Sequence, residues 1–145
     1  MLFILICLVG DMMKNKKIKI LLLIIWIIVI FMMSSFNAVD SGKQSNFIVN
    51  IIVKLFDIEN VKLVSRIVRK LAHFTEYLIL GILCINLCRK KKDIYIAIIF
   101  CILYAISDEV HQIFVHGRVF GIKDIMIDSL GAILGICLLK SRVKE

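Results

Sequence analysis

The sequence predicts an all-α integral membrane protein: four transmembrane helices in an antiparallel bundle, with an extracytoplasmic amphipathic helical segment between the first and second spans. Three observations carry this reading. The chain of 145 residues is 61% hydrophobic, where soluble domains average about half, and its mean hydropathy is +0.96. The apolar residues come in blocks, several of them near the roughly 20 helical residues that a bilayer crossing takes. The basic residues behind the formal net charge of +8 gather mostly at the ends of those blocks. That is the pattern of membrane topology and anionic lipid contact, not of nucleic-acid binding. The length allows one domain.

Residues 1–17 form a short N-terminal segment. Met1 to Gly10 is apolar but too short to span, and it lacks the basic start and the cleavage site of a signal peptide. Met13-Lys14-Asn15-Lys16-Lys17-Ile18-Lys19 reads as a natural start before a helix, so Met12 or Met13 is the expected initiator. The membrane domain covers 18–139, and a basic tail covers 140–145.

The first span runs from Ile18 to Met33, extending toward Phe36, and is rich in Ile and Leu with Trp26. The second runs from about Leu71 to Cys88, the third starts at Ile94, and the fourth runs from about Ile122 to Leu139. Only Arg89-Lys90-Lys91-Lys92-Asp93 separates the second from the third, which makes them a tight antiparallel hairpin. Ile94 to Ile106 is too short to cross alone, so the third helix must continue through Asp108, Glu109, His111 and Gln112 toward Val115. Between the first two spans, Asn46, Asn50, Lys54 and Asp57 recur at helical spacing opposite Phe47, Ile48, Ile51, Ile52 and Leu55, and Lys62, Ser65, Arg66 and Arg69 repeat the pattern. These read as interfacial amphipathic helices. With no proline in the chain, no proline kinks are expected. The five cysteines, Cys7, Cys84, Cys88, Cys101 and Cys137, lie in apolar runs without a CxxC and read as small packing residues.

Lysines flank the first span, Arg89 to Lys92 close the hairpin, and Lys140, Arg142 and Lys144 follow the last span. An even number of spans puts all three clusters on one side. The positive-inside rule makes that side the cytoplasm, with both termini there.

The polar residues then fall at one level. At about 1.5 Å per helical residue, Glu76 and His73 lie roughly 20 and 24 Å from Arg89, and Asp108 roughly 24 Å from Lys92. Asp128 and Asp124 lie roughly 18 and 24 Å from Lys140 by the same count. Three helices thus place ionisable groups together in the outer part of the bilayer, where charges are costly without a partner or a purpose. The faces agree. His73, Glu76 and Tyr77 share one face, which Arg69 and Lys70 extend outward; Tyr104, Asp108, His111 and Gln112 share another. Asp124, Asp128, Gly131 and Gly135 share a third, in which the two glycines make a small-xxx-small pattern that lets another backbone approach.

Three readings of this cluster stay open. In a structural one, Arg69, Lys70 and Arg118 neutralise Glu76, Asp108, Glu109 and Asp124, and the histidines bond across helices. In a second, these same residues, with Tyr77, Gln112 and Asp128, line a site for an anionic or amphiphilic molecule of the outer leaflet. In a third the site is that of a membrane enzyme. There, His73, Glu76, Asp108, Glu109 and His111 are the candidate acid–base groups, and His73, Glu76, Asp108, His111 and Asp128 are the candidate ligands of a divalent metal. No cofactor is otherwise called for, and oligomeric state is not legible.

At these residues the chain resembles the VanZ-like family of small bacterial membrane proteins. The matching features are Arg69-Lys70-Leu71-Ala72-His73-Phe74-Thr75-Glu76-Tyr77 with Leu80-Gly81, and Ser107-Asp108-Glu109-Val110-His111-Gln112. Gly117-Arg118 follows, then Asp124 and Asp128 leading to Gly131 and Gly135. Met33-Ser34-Ser35-Phe36, followed by Ser41 and Ser45, resembles the weaker motif after the first span. One departure is His116, where the family often has proline. The resemblance implies a protein of the bacterial cell envelope, in a family whose founding member is associated with resistance to the lipoglycopeptide teicoplanin. It implies a phenotype rather than a reaction.

Overall fold

The computed structural model describes residues 15–35, 49–55 and 60–143. The expected initiator and the Ser41 and Ser45 motif positions lie outside them, as does part of the segment between the first two spans. Four helices organise the described chain, with no strand among the described residues: α1 (Lys16–Ser35), α2 (Val61–Ile85), α3 (Lys91–Gln112) and α4 (Ile122–Leu139). A 3-10 turn, Lys140–Arg142, closes the last helix. Residues 49–55 are also helical.

Each boundary has a local cause. Asn60 caps α2, its side chain accepting from the Leu63 amide at 3.1 Å. Nothing between Val61 and Leu80 breaks a helix, since proline and glycine are absent there. Lys62, Ser65, Arg66 and Arg69 therefore belong to the same continuous helix as His73 and Glu76, not to a separate interfacial one. At the α2–α3 hairpin the Asp93 carboxylate accepts from the Arg89 and Lys90 amides, both at 2.9 Å. Those bonds fold the link back onto the first turn of α3. Gly117 takes a positive φ of 78°, a conformation that glycine adopts without side-chain strain, and so turns the chain from α3 toward Arg118. α4 opens after Gly121 with Asp124 in its first turn, where a carboxylate suits the helix dipole.

The helices pack in two ways. α2 and α4 meet backbone to backbone. A β-carbon on Gly81 would come within 2.9 Å of the Ala132 carbonyl carbon, one on Gly135 within 3.1 Å of that of Leu78, and one on Gly131 within 3.3 Å of that of Phe74. In each case the carbonyl oxygen would be nearer still. No other residue type admits this approach. Around the seam lies an apolar core that includes Ile30, Tyr77, Leu80, Cys101, Ala105 and Ile136. Cys84 and Cys101 touch within it, Sγ to Sγ at 3.8 Å, as free thiols.

α1 is attached by Ile30 in the apolar core and by single hydrogen bonds. Trp26 Nε1 donates to the Glu76 carbonyl at 2.9 Å, Tyr104 Oη to that of Ile27 at 2.8 Å, and Lys19 Nζ to that of Asn86 at 2.9 Å. Large apolar side chains face outward along all four helices, among them Leu21, Ile28 and Met32 of α1, Ile67 and Leu71 of α2, Tyr95, Ile96 and Leu103 of α3, and Met126 and Leu130 of α4. A water-soluble monomer rarely exposes so much contiguous oil. α1 and α3 are long and apolar enough to cross a membrane.

Candidate functional site

The ionisable residues of α2, α3 and α4 converge where the three helices meet above the glycine seam. Asp108, Glu109, Gln112 and Asp128 are buried polar side chains, and Asp108 and Asp128 are only 3% and 2% exposed. Single ligand atoms of His73, Asp108 and Asp128 all lie within 4.8 Å of one another. Each of these residues also keeps a buried polar atom without a hydrogen-bond partner: Nδ1 of His73, Oδ1 of Asp108 and Oδ1 of Asp128. Buried polar atoms normally find partners, so this convergence stands out from the rest of the bundle.

Around it runs a layer of polar contacts. Gln112 Nε2 donates to Ser34 Oγ of α1 at 2.9 Å and to Asp108 Oδ2 at 3.3 Å, while its Oε1 accepts from Arg118 at 3.3 Å. Glu109 Oε2 accepts from the Gly121 amide at 2.7 Å, which ties α3 to the start of α4. Lys70 pairs with Asp124, joining α2 to α4 at the rim. Glu76 Oε2 lies 3.3 Å from His73 Nδ1, close enough for attraction but without hydrogen-bond alignment.

A cleft of about 210 Å³ opens above this layer. Arg66, Arg69, Lys70 and Arg118 bring positive charge to its wall, and His73, Glu109, Gln112 and Asp128 reach it from below. Burial and the neighbouring Arg69 charge hold the Arg118 guanidinium below its usual value. The site thus has basic groups toward its mouth and carboxylates at its floor, an arrangement that suits an anionic group approaching a polar or metal-bearing base.

The candidate residues divide accordingly. Arg69, Lys70, His73, Glu109, Gln112, Arg118, Asp124 and Asp128 line the cleft, with Asp108 close to His73 and Asp128. Tyr77 is wholly buried, its ring 6.1 Å from that of Tyr104. His111 turns to α1, with its ring 4.5 Å from that of Phe31 and its Nε2 3.1 Å from Ser35 Oγ. His116 is exposed at the turn. Two residues gain a role that spacing alone did not assign. Ser34 is fully buried against Gln112, and its signal was a hydroxyl ending an apolar run. Arg66 joins the cleft wall because α2 starts ten residues earlier than apolar content indicates.

A family model described as VanZ/LLP1 matches the chain over residues 19–143. The chain belongs to the VanZ/LLP1 family. No match was found among curated proteins or solved structures. The VanZ/LLP1 match spans the whole helical bundle, from the start of α1 to the turn after α4. It thereby includes every residue of the convergence. Together with the two apolar helices, it makes this a membrane protein.

Proposed function

We propose that this VanZ/LLP1 protein crosses the bacterial cell membrane four times, with both termini in the cytoplasm, and binds an amphiphile of the outer leaflet at its polar cleft. The ligand is an anionic or lipid-linked cell-envelope molecule, or a lipidated glycopeptide of the teicoplanin type, and the protein contributes to resistance against such antibiotics. One observation carries this reading: a cleft with four basic residues on its wall lies over buried carboxylates between helices whose outer faces are apolar. Basic side chains hold the anionic group, and the apolar flanks of the bundle accommodate the lipid tail.

A susceptibility assay tests the reading. Deleting the gene should sensitise the host to lipoglycopeptides, and re-expressing the wild type should restore tolerance. Arg118→Gln, present at equal membrane abundance, should not restore it. Unchanged susceptibility on deletion defeats the resistance role. For topology, a cysteine placed at Ser41 should react with an impermeant thiol reagent from outside intact cells, and a failure to label defeats the orientation. A second reading, a membrane enzyme acting on lipid-linked envelope substrates, draws its support from the juxtaposed His73, Asp108 and Asp128. In that reading an imidazole and a carboxylate would move protons at the floor of the cleft.

A further inference from the structure

We propose that His73, Asp108 and Asp128 form a binding site for a divalent transition-metal ion of the Zn2+ or Mn2+ class, with its open coordination position facing the cleft. The inference deepens the amphiphile reading and rests on it for the identity of the outer ligand, an anionic oxygen of the bound headgroup.

Four features of the geometry point to an ion. The three side chains come from three different helices and bring one ligand atom each to within 4.8 Å of the others. Both aspartates are almost wholly buried, and each keeps an oxygen without a hydrogen-bond partner. His73 keeps a buried nitrogen in the same condition. Finally, His73 and Asp128 line the cleft and Asp108 does not, so an ion held among the three would meet the cleft on the side of His73 and Asp128. Three protein ligands and one open position is the arrangement of a site that presents its metal to a substrate.

Charge and ligand chemistry select the ion. A divalent cation neutralises two carboxylates that would otherwise repel each other in a poorly screened interior. The imidazole argues against Ca2+ and Mg2+, which take oxygen ligands, and for a transition-metal ion that accepts nitrogen and carboxylate together. Bond lengths of about 2.0–2.2 Å put the ligand atoms of a tetrahedral site about 3.5 Å apart, so binding draws the three side chains inward by roughly 1 Å in all. His111 and Glu109 are not part of the set: the first packs on Phe31 and the second accepts from the Gly121 amide.

The test uses the full chain purified in detergent and stripped with a chelator. Calorimetric titration with Zn2+ or Mn2+ should show stoichiometric binding, with Mg2+ far weaker. Asp128→Asn and His73→Gln should each weaken binding by at least about 100-fold, because even residues that only support a ligand cost 10–100-fold. Circular dichroism checks that the variants remain helical. Should they fail to fold, Mn2+ bound to the wild type gives a second readout, a nitrogen coupling from one imidazole in its electron spin resonance. Absence of stoichiometric binding by the wild type overturns the proposal. So does unchanged affinity in a folded Asp128→Asn variant, or bound Mn2+ with no nitrogen coupling.

Teicoplanin binding to the same preparation, with and without Zn2+, separates the two claims. Metal uptake without teicoplanin binding supports the metal site and counts against the ligand reading. Teicoplanin binding by protein that takes up no metal does the reverse.

Discussion

α4 and α1 both pack on α2, yet they are held by different forces. α4 meets α2 through three glycines, with backbone against carbonyl and no room for a β-carbon. α1 buries Ile30 in the core and is otherwise held by hydrogen bonds, with Trp26 and Lys19 donating and Ile27 and Ser34 accepting, while most of its large apolar side chains face away from the bundle. In lipid there is little hydrophobic gain from pressing oil against oil, so helices associate through close packing and polar contacts. The bundle uses the first for the pair that carries most of the site and the second for the helix that closes its side. A seam without slack fixes where His73 and Asp128 stand relative to each other. A hydrogen bond, by contrast, joins Ser34 of α1 to Gln112 of α3.

The contrast is open to direct attack. Gly135→Ala should do the most damage, because its β-carbon enters the Leu78 carbonyl; overpacking of this kind costs about 3 kcal/mol. Reversible unfolding in mixed micelles measures it, and a loss no larger than that of an α1 variant would erase the distinction between the two interfaces. Gln112→Leu comes next. It removes the bonds to Ser34, Asp108 and Arg118 at once and should cost about 1–3 kcal/mol, since buried partners are left unsatisfied. The same unfolding titration reads it, and Ser34→Ala made in addition should add little if the two residues act as a unit.

Trp26→Phe removes one interhelical bond to the Glu76 carbonyl and should cost about 0.6 kcal/mol, the average for such bonds in a membrane bundle. A cost above that of Gly135→Ala would reverse the argument. The smallest effect concerns the α2–α3 link. Backbone amides of Arg89 and Lys90 hold the exposed Asp93 carboxyl below its usual value. A lowered folded value stabilises the protein above the unfolded value of about 3.9, and the gain disappears as pH falls through the folded value. Thermal melts should therefore show wild type slightly above Asp93→Ala at neutral pH, and the two should converge in acid.

Much of this architecture is legible in the amino-acid sequence. α4 runs from Ile122 to Leu139, the limits that the apolar run indicates, and α3 continues through Asp108 and Glu109 to Gln112, as span length requires. Depth counting brings Asp108, Asp128 and His73 to one level, and their ligand atoms do meet. Other features are hidden for physical reasons. α2 begins at Val61, although its first ten residues are too polar to look like part of a span, because a helix continues wherever no breaker or cap stops it. His111 shares a helical face with Asp108 in projection but packs on Phe31, because only the neighbouring helix decides which side of a polar stripe is filled.

The sequence by itself determined that four segments are helical, that the first and third are long and apolar enough to cross a membrane, and that ionisable groups on three helices lie at similar counts from the basic flanks. Those properties follow from spacing and composition along a single chain. Tertiary structure alone decided that the backbone which Gly131 and Gly135 admit is that of α2, that Ser34 and Arg66 join the polar region, and that His73, Asp108 and Asp128 form the tight group while His111 does not. Rotation of each helix about its own axis sets those outcomes. That rotation is fixed by packing against neighbours, which no single helix encodes alone.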